Sequence, residues 1–336
     1  MKSIIKLVAL ASAATAALAL AGNALATPKL SVRQTSTSLT LGLSRTQSDP
    51  VPAKAQVFVP TGYTLNTSQN PGTKIGTATG NLFAKDLNVS APFTGDVVVA
   101  PEDTNAEGCA TGTHLAVWML QVSVSGQTIN LPMHVDPTTG DNAAFGAYQI
   151  VVCFPPVDVP QGTPGRAPSG VQLLDASFTL ANVFTAPTAP TVWKALATPY
   201  AAGSGELNET GTVEMRASVR PGLVTIRSRL LSRKTRTVRL SGTVTQAGAG
   251  IARASVNLLL DGKARFRAPT SPQGLYTIQL RKSGRRSTTI FQARVTVAER
   301  DITSTGCQSP TRPGVRCVSA TAAGFTALSR KIRIRL

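Results

Sequence analysis

Two histidines and one carboxylate pose the first chemical question. The chain holds only His114 and His134, and His134 lies in PMHVD, two residues before Asp136. Residues two apart on a strand share a face, so His134 and Asp136 are expected to point the same way. Such a pair can begin a metal site or a general-base pair. No further ligand cluster of the needed type and no G-x-S-x-G turn accompanies it. The expectation is therefore a sheet histidine beside a loop carboxylate, with no catalytic residues and no enzyme activity. A secreted hydrolase using His134, Asp136 and His114 is the lesser alternative.

Glu102, Asp103 and Glu107 fall in one loop, APEDTNAEGC. Clustered oxygens suit Ca²⁺, but the EF-hand layout is missing. A solvated acidic loop is the plainer reading, and no metal or cofactor is expected. Trp118 and Trp193 would be platforms in a carbohydrate- or protein-binding module if they were exposed. Trp118, inside the apolar LAVWMLQV, is expected to be buried.

Basic residues are far more numerous. Arg233, Lys234, Arg236 and Arg239 form one group, Arg265 and Arg267 a second, and Arg281, Lys282, Arg285 and Arg286 a third. Their field attracts acidic polymers and weakens with salt. The aromatics in this half are few: Phe266, Tyr276, Phe291 and Phe325. Base stacking would use more of them. The expected partner is an anionic cell-envelope polymer or surface, and not nucleic acid. Solubility alone is the plain alternative for so much charge.

The compartment follows from the first residues. Lys2 and Lys6 precede an apolar run over 7–21, and Ala24-Leu25-Ala26 closes it. This is the layout of a signal peptide over 1–26. The run is short for a membrane span, which takes about 20 residues, and no later stretch is apolar enough to span. The expected location is secreted or bound to the cell envelope. Four cysteines agree with an oxidising compartment. They allow three pairings. Proximity favours Cys307 with Cys317, leaving Cys109 with Cys153.

The elements that must carry these residues are strands. Short alternating runs separated by Gly and Pro clusters predict an all-β protein. QVFVP, GDVVVA and YQIVVCF are rich in β-branched and aromatic residues. RKIRIRL alternates, placing Ile332, Ile334 and Leu336 toward a core and Lys331, Arg333 and Arg335 toward water. Charge divides the chain: residues 27–206 carry 8 Lys and Arg against 11 Asp and Glu, and residues 207–336 carry 24 against 5. Such a change supports a boundary. The expected division is a β-sandwich over 27–200, a linker over 201–211 and a basic β-sandwich over 212–336.

The stretch LSGTVTQAGAGIARASVNLLLDGK, 240–263, looks at first like a nucleotide loop. Arg253 stands where a third glycine belongs, and a strand-like run follows instead of a helix, so the phosphate reading fails. The glycines are expected to turn the chain between strands. With GLYTIQL downstream, the stretch resembles the carboxypeptidase regulatory-like, or prealbumin-like, group of bacterial Ig-type sandwich modules. Gly242 and Val244, Ala254 to Leu258, and Gly274, Tyr276 and Ile278 carry the likeness. Arg253 and Ile251 depart from the usual Gly and Pro. The resemblance implies an Ig-like C-terminal domain in an accessory, structural or binding role, and it brings no catalytic residues. In composition and layout the whole chain resembles uncharacterised exported β-rich proteins of high-GC bacteria.

Overall fold

The structure is a computed structural model. It describes residues 28–335 except 36, 107–108, 125–126, 282–287 and 310. The expected signal segment, Glu107, Lys282, Arg285, Arg286 and Leu336 lie outside the described residues.

The chain is all-β, as expected. Its first part supplies β1 (Lys29–Gln34), β2 (Ser38–Ser44), β3 (Pro52–Val59), β4 (Thr64–Leu65), β5 (Lys74–Ala84) and β6 (Val89–Ala100). Then follow β7 (Ala116–Val124), β8 (Gln127–Pro137), β9 (Tyr148–Cys153), β10 (Val171–Ala181), β11 (Phe184–Thr185), β12 (Thr191–Pro199) and β13 (Val213–Val219). The second part supplies β14 (Gly222–Val224), β15 (Arg227–Ser232), β16 (Thr237–Gln246), β17 (Ala249–Gly250), β18 (Ser255–Leu260), β19 (Lys263–Pro269), β20 (Leu275–Arg281) and β21 (Thr288–Val297). β22 (Arg300–Asp301), a one-turn helix α1 (Thr303–Gly306), β23 (Arg316–Ala322), β24 (Phe325–Leu328) and β25 (Ile332–Arg335) complete it.

Thirteen strands form one large sheet in the order β1-β2-β10-β5-β6-β7-β8-β9-β3-β12-β13-β23-β22. The sheet curls until β1 lies against β13 and β23. One core fills the curl, joining Leu30 and Val32 from β1 to Trp193, Met215 and Ala217 from the far end. Side chains close the seam. Ser319 Oγ donates to Pro28 O, and Thr321 Oγ1 donates to Leu30 O at 2.9 Å. Two prolines sit inside long strands where no ladder partner needs their missing N–H. Pro92 of β6 pairs only with β5, before pairing with β7 begins at Thr94. Pro132 of β8 pairs only with β7, before pairing with β9 begins at Met133.

The expected linker over 201–211 does not part the sheets. β12 and β13, on either side of it, pair antiparallel from Thr191↔Val219 to Ala197↔Val213, and β23 pairs parallel to β13. The reason is apolar: Met215, Ala217 and Ala320 are as buried as the core of the first half. β13, β22 and β23 therefore belong to the large sheet.

The rest of the C-terminal half is a small sandwich. One layer places β16 between β20 and the broken strand β14/β15, with β17 turned back on β16. The other places β18 and β21 between β19 and the pair β24 and β25. Val238, Leu240, Val244, Val256, Leu258, Phe291 and Val295 meet between the layers. Ile332 and Ile334 pack on this core while Arg333 and Arg335 stay exposed, in the expected alternation. The glycine-rich stretch does turn the chain. Ala247-Gly248 and Asp261-Gly262 each take positive φ at both residues, the geometry of the tight hairpin turn that suits twisted strands.

The backbone crosses between sheet and sandwich at 220–221, 298–299 and 323–324. Gln246, 3% exposed, clasps the three crossings together. Its Nε2 donates to Arg220 O (3.2 Å) and Ala323 O (3.1 Å), and its Oε1 accepts from Arg300 Nη2 (2.6 Å).

Candidate functional site

The histidines and Asp136 do converge. β8 carries His134 and Asp136, and His114 stands just before β7. His114 Nδ1 donates to Asp136 Oδ2 at 2.8 Å, and Asp136 Oδ1 accepts from Leu115 N at 3.2 Å. The two imidazoles pack with centroids 4.4 Å apart and ring planes tilted by 53°. His134 is wholly buried and donates Nε2–H to Thr104 O at 3.0 Å. The backbone N–H of His114 donates to Glu102 O at 2.9 Å.

These contacts all lead to the acidic loop. A disulfide from Cys109 to Cys153 ties the end of that loop to β9. The loop is thus fixed at Glu102, Thr104 and Cys109. Burial holds the His134 imidazole below the ordinary histidine value of 6.5, and neighbouring His114 adds to the effect. The backbones of Thr104 and Val151 and the Asp136 carboxylate oppose it in part. Among the described residues, no Ser, Thr or Cys side chain bonds to either ring. A nucleophile–base–carboxylate relay needs that bond. The geometry makes the histidine pair an anchor for the loop.

Glu102 and Asp103 are exposed and line an open cleft of about 420 Å³ with Thr67, Gln69, Thr113 and Leu115. Among the described residues no group of three His, Cys, Asp or Glu is placed to hold a metal ion. Trp118 and Trp193 are 2% and 0% exposed. Neither is a binding platform, and the module reading that leaned on them loses that support. Trp193 instead donates Nε1–H to Tyr63 Oη at 3.1 Å inside the core.

The second disulfide joins Cys307 to Cys317. The loop it closes is also held by a buried ion pair that sequence reasoning missed. Glu214 of β13 is wholly buried and bonds Arg216 Nε at 2.6 Å. Arg216 Nη1 donates to Gly306 O (2.8 Å), and Thr311 Oγ1 donates to Glu214 Oε1 (2.9 Å). The signal was present in VEMRASV, where one acid and one base interrupt an otherwise apolar strand.

The basic residues take a different arrangement. Arg233, Lys234 and Arg236 lie in the turn between β15 and β16, Arg239 on β16, Arg265 and Arg267 on β19, and Arg281 at the end of β20. All but the half-buried Arg236 are exposed. The hairpin ends at 232–237 and 260–263, Arg281 at the end of β20 and Arg335 at the end of β25 lie at the sandwich end remote from the crossings, because β16 runs from Thr237 there to Gln246 at the clasp. Sequence clustering missed Arg227, Arg229 and Arg294, which alternation places on outer faces. Residues 222–298 with 325–336 hold 19 Lys and Arg and one carboxylate, Asp261. That carboxylate accepts from Ile290 N of the neighbouring strand β21 at 3.0 Å.

No helix among the described residues is long and apolar enough to cross a membrane. No protein-family model and no curated protein matches the chain. Among solved structures, the chain is similar to a tetra-tandem repeat in the extending region of a large adhesion protein. Identity is 12%, covering 87% of this chain and 81% of that one, with a TM-score of 0.23. That score is too low to transfer a fold or a role.

Proposed function

We propose that the chain is an exported, non-enzymatic binding or structural protein held on an anionic cell-envelope surface through its small basic sandwich. The curled sheet then faces outward to a second contact. One observation carries this reading: 19 basic residues share the sandwich with a single carboxylate. Coulomb attraction to a polyanion grows with each unpaired charge, and a protein gains no stability from repelling itself in this way. The division into functional parts proposed here follows the crossings: the sandwich is 222–298 with 325–335, Ig-like in the sense of the prealbumin-like resemblance, and the remainder serves the sheet. The disulfides and the signal-like first residues support the extracellular compartment.

Fractionation of the producing cells tests the proposal. The protein is expected in the envelope fraction and is expected to leave it in a wash near 1 M salt, where screening acts within about 3 Å. Protein free in the medium, or retained after that wash, would sink it.

A further inference from the structure

Arginines occupy both outer faces and the remote end of the sandwich, and on one face two of them stand directly opposite each other. On the β15-β16-β20 layer the outward residues fall in three rows. Arg227, Ser241 and Thr277 form the first, Arg229, Arg239 and Gln279 the second, and Ser232, Thr237 and Arg281 the third. Strands lie about 4.8 Å apart and alternate residues about 6.8 Å apart, so the four guanidinium groups start from a lattice of those spacings.

Arg229 stands directly opposite Arg239. Like charges so placed are destabilising. No salt bridge joins Arg227, Arg229, Arg239 or Arg281 to a described residue. The positions between them hold hydroxyls and an amide. The opposite face differs. Arg267 is bonded to Ser255, Asn257 separates Arg267 from Arg294 in one row, and Arg294 and Arg333 stand across from Leu328 and Ile290. Exposed Leu223 and Leu275 lie opposite Thr245 and Thr243, toward the crossings and away from the arginine rows. Leu230 and Leu231 of β15, also exposed, lie between the second and third rows, and the vesicle arm of the test reads what they add.

We propose that this face binds a linear polymer carrying one phosphodiester or carboxylate per repeat, with hydroxyls between the anions. The inference rests on the envelope-binding reading above. Each guanidinium presents a planar fork that matches either anion, and Ser241, Thr277, Thr237 and Gln279 meet the intervening hydroxyls.

The test uses the full chain and two variants of equal charge. One is R227Q/R229Q/R239Q/R281Q, and the other is R267Q/R294Q/R333Q/R335Q. Binding to poly(glycerol phosphate), to polygalacturonate and to phosphatidylglycerol vesicles is measured across a salt series. The first variant is expected to lose about tenfold or more in polymer affinity, as four exposed ion pairs disappear, and its salt dependence flattens. The second is expected to lose less than about threefold. The preferred polymer identifies the anion. Equal loss in both variants would overturn this site and leave the electrostatic reading standing. Failure of the unaltered protein to bind either polymer would overturn that reading itself. Tighter binding to vesicles than to both polymers would make this a lipid-docking face and overturn the proposal. If the glutamine variant does not fold, R227K/R229K/R239K/R281K keeps the charge; undiminished polymer binding by it would refute recognition through the guanidinium fork.

Discussion

The large sheet and the small sandwich handle charge in opposite ways. The sheet region, 27–221 with 299–324, carries 13 basic residues against 15 acidic ones. Every salt bridge among the described residues lies there, as do both disulfides and both histidines. Its polar groups turn inward to fix loops: His134 to the acidic loop, Glu214 and Arg216 to the loop after α1. The sandwich has an apolar interior and carries most of its described cations on the outside, with Asp261 as its one acidic side chain. One region pairs its charges within itself, and the other carries them on its surface.

The contrast can be broken first at Glu214. Glu214→Ala leaves Arg216 without its buried partner and is expected to cost about 3–5 kcal/mol. Peptide-resolved hydrogen exchange should register the loss in β13, β23 and the loop after α1, with the sandwich core unchanged. A matching loss in the sandwich would show that the two regions unfold as one. Replacing Cys109 and Cys153 by Ser is expected to cost about 2–4 kcal/mol, read as faster exchange over 102–106. Gln246→Ala addresses the junction. It strands the carbonyls of Arg220 and Ala323 and the guanidinium of Arg300, at about 1–3 kcal/mol, and calorimetry should show the sheet and sandwich transitions moving further apart than in the clasped protein.

The remaining tests are smaller in effect. The folded chain resists protonation of His134 because burial lowers its affinity for the proton. The unfolded chain takes that proton as pH falls through 6.5, so stability is full above this value and declines below it, down to the lower folded pKa. The protection factors of the acidic loop, which correct for the intrinsic slowing of exchange at lower pH, should fall from pH 7 to pH 5, and His134→Gln should abolish the change. Lastly, Arg229→Gln relieves the cross-strand repulsion with Arg239. It is expected to raise sandwich stability by about 0.2–1 kcal/mol at low salt, a gain that thermal melts should lose at high salt.

Much of the fold was legible in single strands. The alternation of β16, the apolar runs of β3, β7 and β9 and the turn pairs at 247–248 and 261–262 each speak locally. β19 was not legible, since KARFRAP lies on an edge and buries only Ala268. The start of β6 was hidden by Pro92, whose fitness for a strand depends on which neighbour it lacks. Composition changes near residue 207 while the large sheet continues through β13, so the charge step does not mark the sheet edge. A parallel pairing such as β13 with β23 leaves no mark in either segment. At the site, His134 and Asp136 were visible from their two-residue spacing. The arginine lattice was not, because it joins residues from three strands.

The seam between β1 and β23 also sets an order of events. Pro28 and Leu30 accept hydrogen bonds from residues 291 positions later. A chain emerging from its N-terminus therefore exposes the β1 edge until nearly the whole protein has appeared. The sandwich strands β14 to β21 are complete before β23 arrives, and their contacts are closer in sequence. Contacts of short separation form sooner than distant ones. The inserted sandwich should thus be structured first and bring β23 back beside β13, making it the tether that shortens the search for the last large closure.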